Sequence, residues 1–414
     1  MRIEKNLKEE NIMRSRLPIL FAAVILIALI IAGQVNAETA RDLTAYCSFT
    51  ASEGSSKTYS LLYNHNYKHI WQAEKSHYNY LEVRLPAGET CSGVEIKWAE
   101  INPNWTIEIL KDGEWTPVEG CSHNYLTTYT PLPNVTEFRI AAHNREANYL
   151  RINEITVLSP GELPPNIQVW EPTYDKADLL LFVAHPDDEF VYMGGIIPLY
   201  SAERGKKVVV AYLTESTTER RTELLDGLWE AGLHHYPVIG KFHDRYSTNM
   251  QTCYERDGKT RIRNYLIELV RRFKPEVLVT HDIHGEYGHG MHKVCADSVI
   301  NAVNNSGNAE ICKDSAEKYG TWEVPKCYIH LYDKDPVRFD WKTPLSAFGG
   351  RTAYDIACAG FKCHQSQQGG EYEIYIDGPF DSQLFGLYRS TVGPDTTHDD
   401  FFENIDPVPV SDNS

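Results

Sequence analysis

The sequence predicts an α/β domain with a mainly parallel sheet and helices on both faces, preceded by an antiparallel β-sandwich. Three observations lead there. Between residues 44 and 158 short runs alternate apolar and polar residues with a period of two. After residue 176 continuous apolar runs alternate with stretches of helical periodicity. A proline- and glycine-rich stretch at residues 159–165, with Pro172 beyond it, separates the two. A chain of 414 residues, 42% hydrophobic, can bury the cores of two or three domains.

Taken in order, the first signal is an apolar run at residues 17–33, after Arg14 and Arg16 and before Val35-Asn36-Ala37, which has the small-x-small form of a cleavage site. It is slightly short of the roughly 20 residues that span a bilayer. It reads as a secretory signal peptide over residues 1–37, or as an uncleaved N-terminal anchor that would associate the protein with a membrane. Either places the protein outside the cytoplasm, secreted or on the cell surface. Strands are then expected at residues 80–85, 94–98, 105–110, 137–141 and 149–157, with Lys111-Asp112-Gly113 as a hairpin turn. Their rhythm over residues 40–158 resembles the discoidin, or coagulation-factor C-type, sandwich, which implies a glycan-binding or spacer module. The linker occupies residues 159–175. From 176 to 414, buried strands are expected at 179–184, 208–213 and 276–280, and helices at 188–204, 219–233 and 260–273. This pattern gives right-handed βαβ units in a Rossmann-like arrangement, in which ligands gather beyond the carboxyl ends of the strands.

Composition narrows the partners. A net charge of -17 repels phosphate backbones, so sequence-independent nucleic-acid binding has no electrostatic support. No Gly-x-Gly-x-x-Gly follows the first buried strand, which disfavours a dinucleotide cofactor. Nine cysteines, with no Cys-x-x-Cys pair, leave at least one thiol free even in an oxidising compartment.

Two clusters carry the chemistry. Ala184-His185-Pro186-Asp187-Asp188-Glu189 ends the first buried strand, where proline stops the strand and the carboxylates fall at a helix start. His185 and Asp188, three apart, can converge on a divalent ion such as zinc; the plain alternative is a capped helix. The second cluster, His281-Asp-Ile-His284-Gly-Glu-Tyr-Gly-His289-Gly-Met-His292, follows the third strand. A helix starting near His289 puts His289 and His292 on one face.

His-Pro-Asp-Asp-Glu after a buried strand, Gly194-Gly195 in the first helix and Gly-His-x-x-His after a later strand resemble the PIG-L/LmbE zinc-dependent de-N-acetylases. Fainter echoes are Arg220-x-x-Glu223, His364-Gln-Ser-Gln367 and residues 385–390. The resemblance implies one Zn2+ per chain held by His185, Asp188 and His292, Asp187 as general base and His289 as the group that polarises the carbonyl or stabilises the oxyanion. It implies that Arg220 contacts the sugar, with Arg221 beside it as the alternative and a helix ion pair with Glu223 as the plain reading of Arg220. Asp244 is a weaker match for a residue that holds substrate hydroxyls, and His364 is either structural or part of the site. The expected reaction removes the N-acetyl group from an N-acetylglucosamine-type sugar or glycoconjugate, releasing acetate and an amine. Two other classes stay open: a secreted glycan-binding protein whose α/β domain is not catalytic, and a metal-dependent phosphoesterase, which usually wants two metals and more carboxylates.

Overall fold

The computed structural model describes residues 38–405 apart from 122 and 371; the apolar run at residues 17–33 lies outside the described residues. Among the described residues no helix is long and apolar enough to cross a membrane.

Among the described residues nine strands precede the linker: β1 (Ser48–Ala51), β2 (Trp71–Gln72), β3 (Ser76–Arg84), β4 (Cys91–Trp98), β5 (Trp105–Lys111), β6 (Glu114–Pro117), β7 (Thr127–Val135), β8 (Glu137–Asn148) and β9 (Arg151–Leu158). They form two antiparallel sheets, ordered β1-β3-β8-β5-β6 and β2-β9-β4-β7. Alternation dictates the register: Leu81 faces Ile140 and Val83 faces Phe138 on one sheet, while Val94 faces Val157 and Ile96 faces Ile155 on the other. These side chains are buried in a shared core, as face-to-face packing of two half-apolar sheets requires. The β5–β6 hairpin turns through Asp112 (φ 53°) and Gly113 (φ 86°), the left-handed pair a tight hairpin needs.

The remainder is β10 (Leu179–Val183), α1 (Asp188–Val191), β11 (Val208–Tyr212), α2 (Thr218–Glu230), α3 (Met250–Tyr254), α4 (Lys259–Phe273), β12 (Val277–Thr280), α5 (Gly290–Asn305), α6 (Lys313–Tyr319), β13 (Lys326–His330), β14 (Pro336–Arg338), α7 (Ala353–Cys363) and β15 (Leu384–Ser390). One mixed sheet results, ordered β11-β10-β12-β13-β15-β14, with parallel pairing from β11 to β13 and antiparallel pairing of β15 to both β13 and β14. Both faces are covered. Leu179, Leu181 and Val183 pack with α2 and α7, and the alternate residues Leu180, Phe182 and Ala184 pack with α4 and α5. Burial on both faces is why these strands are apolar throughout.

The single helix expected over residues 188–204 does not form. α1 stops at Val191, and a six-residue π-helical segment, Pro198–Glu203, follows a turn. Gly194 adopts φ 54°, and a Cβ there would come within 2.5 Å of the Trp341 indole nitrogen, so the glycine buys a close approach that helical continuity would forbid.

The linker is packed. Trp170 lies edge-on to Trp229 and Tyr236, and Gln168 N–H donates to Glu95 (2.7 Å). The sandwich docks on α2 through Lys97 Nζ, which donates to Asp226 Oδ1 (2.7 Å), Tyr67 Oη, which donates to Asp226 Oδ2 (2.6 Å), and Asn153, which donates to Thr222 (2.8 Å). Lys97 and Asp226 side chains are only 13% and 17% exposed. Lys97→Met would strand the Asp226 charge at this interface and is expected to cost about 3 kcal/mol, read as a lowered midpoint in urea or thermal unfolding.

Candidate active site

The site lies at the carboxyl ends of β10, β12 and β13, where His185, His281 and His330 emerge. The pentapeptide after β10 divides its work residue by residue. Asp187 holds a strained backbone of positive φ (φ 111°, ψ -30°) as the N-cap of α1. That conformation is pinned by fully buried Glu189, whose Oε2 accepts the Asp187 N–H at 2.8 Å and whose Oε1 lies 3.2 Å from His364 Nε2. The strain turns the Asp187 carboxylate into the cavity, where Arg220 of α2 pairs with its Oδ1 at 3.0 Å and also donates to the Pro186 carbonyl. Burial pushes the Asp187 carboxyl up to about 7; Arg220 opposes the rise and Asp188 adds to it.

Behind this, Glu286 organises three histidines. Its Oε2 accepts from His281 Nδ1 (2.8 Å) and His292 Nδ1 (2.7 Å), and its Oε1 accepts from His330 Nδ1 (2.6 Å). A carboxylate only accepts, so each of these histidines presents an N–H from Nδ1; His330 Nε2 faces a second acceptor, the Asp381 carbonyl oxygen, at 3.1 Å. Burial alone would raise Glu286, but His281 and its neighbours hold it well below the usual carboxylate range. His281 Nε2 is engaged by the Ala184 N–H (3.1 Å). His292 Nε2 differs: it is fully buried, has no hydrogen-bond partner, and stands 3.4 Å from Asp188 Oδ1. An orphaned imidazole lone pair beside a carboxylate is a ligand position.

His185 completes the group. Its Nδ1 is 3.1 Å from Asp188 Oδ2 and its Nε2 3.0 Å from Asp244 Oδ1. Burial disfavours its charge, yet Asp188 and then Asp244 outweigh that and raise it to about 9. The imidazolium proton thus sits among the carboxylates where a cation's charge belongs, and metal binding would displace it. Two triads have ligand atoms close enough to share an ion, His185 with His289 and His292, and Asp188 with His281 and His292. His292 belongs to both triads, and in the second His281 has its nitrogens engaged by Glu286 and by the Ala184 N–H.

His289, the N-cap of α5, is buried, and burial followed by His185 and His292 lowers it to about 3, so it is a neutral ring whose Nδ1 has no partner. All seven residues singled out from the sequence, His185, Asp187, Asp188, Arg220, Asp244, His289 and His292, gather here. Arg220 lines the cavity with its guanidinium committed to Asp187 and Pro186, and Glu223, its partner in the plain alternative, accepts from Ser366 instead. Arg221 points to Glu215 instead. His364 lies beneath, against Glu189 and Phe190. The cavity, about 130 Å³, is otherwise walled by Val191, Gln367 and four tyrosines, Tyr192, Tyr246, Tyr287 and Tyr372.

Sequence reasoning missed Glu286, Glu189, His281 and His330 as site residues. The signal for Glu286 was present, since metal-binding histidines usually donate their second N–H to a carboxylate; His330 sits on a separate strand with no local mark. Glu286→Gln replaces one of the two acceptor oxygens by an NH2 donor, which would face the N–H groups that oxygen now accepts, two histidines on Oε2 or His330 on Oε1. Metal affinity is expected to fall about 10–100-fold, measured by competition with a chelator.

Residues 180–303 match the model of the PIG-L family, described as GlcNAc-PI de-N-acetylase. The chain is 26% identical over 201 residues to 1D-myo-inositol 2-acetamido-2-deoxy-alpha-D-glucopyranoside deacetylase 1 of Frankia casuarinae, an overlap of 40% of this chain and 64% of that protein. It thus spans about 64% of that relative's length. Among solved structures, N,N'-diacetylchitobiose deacetylase from Pyrococcus horikoshii aligns with 47% of this chain and 72% of its own at 17% identity and a TM-score of 0.36. The F5/8 type C domain of a Bacteroides fragilis protein aligns with 31% of this chain and 99% of its own at 20% identity and a TM-score of 0.25.

Proposed function

We propose, from the premise that residues 180–303 form a PIG-L family domain, that the protein is a metal-dependent hydrolase that removes the acetyl group from an N-acetylglucosamine-type sugar. The observation that carries the reading is the unpartnered, fully buried His292 Nε2 beside Asp188, which lines the same cavity as a clamped Asp187 and a neutral His289. The relative from Frankia casuarinae, by its name a deacetylase of an acetamido sugar, supports the same reaction.

His185, Asp188 and His292 would hold one zinc ion; a carboxylate with two imidazoles and an open fourth position is a catalytic zinc set. When bound, zinc polarises the acetyl carbonyl and makes water a better nucleophile. Asp187, held by Arg220, accepts the proton of the attacking water as the C–O bond forms and returns it to the sugar nitrogen as the C–N bond breaks. His289, neutral and unpartnered on Nδ1, carries one N–H to donate to the developing oxyanion. Water and amide are consumed, acetate and amine released. Asp244, side chain 44% exposed, orients His185 and offers its second oxygen to a substrate hydroxyl. The apolar run at residues 17–33 supports an extracytoplasmic setting for this chemistry, with membrane association if that run is retained. Acetate release from N-acetylglucosaminides, abolished by chelator and restored by zinc, tests the reading; release of phosphate from phosphoesters instead would replace it.

A further inference from the structure

Beside the catalytic cavity lies a second one, of about 350 Å³, lined from the sandwich by Asn64, Asn66 and Lys68 and from the α/β unit by Glu219, Gln365 and Ser366. The linings of the two cavities adjoin along the chain. Arg220 and Gln367 face the catalytic cavity, while their chain neighbours Glu219 and Ser366 face the second. Gln367 Nε2 donates to Ser366 Oγ at 3.0 Å, joining the two linings.

The chemistry of this groove is that of a hydroxyl-rich, uncharged ligand. Amide groups offer both donors and acceptors, and Lys68 Nζ stands 3.6 Å from Glu219 Oε1, too long for a hydrogen bond, so each has donor or acceptor capacity for a third group. Cation and carboxylates occur together, which favours neither an anion nor a cation. Its sandwich wall is built in advance. Asn64 Oδ1 accepts the Asn66 N–H (3.0 Å), Asn66 Oδ1 accepts the Lys68 N–H (3.1 Å), and Tyr67 between them is tied by its hydroxyl to Asp226 of α2. The opposite wall is fixed by Glu223, which accepts from both the backbone N–H and the hydroxyl of Ser366 at 2.7 and 2.6 Å. A preformed site loses little entropy on binding.

We infer that this groove holds the sugar unit adjoining the N-acetylhexosamine under attack, so that the substrate is an oligosaccharide or glycan chain rather than a free monosaccharide, and the docked sandwich supplies part of its recognition. The inference rests on the deacetylase reading above. Its test is steady-state acetate release from N-acetylglucosamine and from its β-linked tetramer, by the wild type and by Lys68→Ala/Gln365→Ala, two exposed residues on opposite walls. The wild type should favour the tetramer, mainly through a lower KM, and the double variant should reduce the tetramer-to-monosaccharide ratio of kcat/KM by roughly tenfold, as expected for two lost hydrogen bonds. Acetate released from both sugars with no preference, or a ratio unchanged in the variant, overturns the groove's role alone. No acetate from either sugar with the zinc-loaded wild type overturns the deacetylase reading and the groove with it.

Discussion

Asp187→Asn is expected to lower acetate release by about 10²–10⁴ while the protein keeps its metal. The amide of asparagine is nearly isosteric and can still accept from Arg220, but it cannot take a proton from water. His185, Asp188 and His292 are untouched, and the Glu189 contact that pins the strained backbone is made by the residue 187 main chain rather than its side chain. An amide is a weak electrophile with a poor leaving group, so attack without a base nearby is slow. The measurement is acetate released per bound zinc in wild type and variant. Wild-type turnover in a metal-loaded Asp187→Asn would reduce Asp187 to a helix cap.

His292→Ala is expected to remove stoichiometric metal, and activity with it. Two protein ligands hold zinc poorly, and the substitution also leaves a Glu286 oxygen without its His292 donor in a fully buried setting. His289→Ala separates ligand from catalytic donor: it should retain metal and lose roughly 3–4 kcal/mol of transition-state stabilisation. Metal content of the two purified variants, read by elemental analysis beside their rates, distinguishes the roles. Equal metal loss in both would enlist His289 as a ligand.

The parts of this molecule that announce themselves in sequence are those fixed by local periodicity. Residues 179–183 and 208–212 form strands buried on both faces because nothing in them can face water. The sandwich strands follow their alternation, and His185, Asp188 and His292 stand out because ligand-type residues cluster where strands end. What the sequence hid depends on contacts made across the fold. The π-helical break after Gly194 answers to Trp341, about 150 residues later in the chain. The Glu286 hub joins a strand end, a helix and a second strand. Arg220 sits on the expected helix, yet only the tertiary arrangement turns its guanidinium to Asp187 rather than to Glu223. Lys97 reads as one more outward polar residue of an alternating strand; docking on α2 makes it a buried partner of Asp226.

The proposed chemistry depends on one zinc ion held by His185, Asp188 and His292, with His289 and Asp187 left for the substrate. Anomalous diffraction at the zinc edge from crystals of the zinc-loaded protein tests it most directly. A single strong peak is expected within bonding distance of an imidazole nitrogen of His185, a carboxylate oxygen of Asp188 and Nε2 of His292. A peak bonded to His281 or His289 in place of one of these, a peak bonded to Asp187, or no peak in this cavity would contradict it.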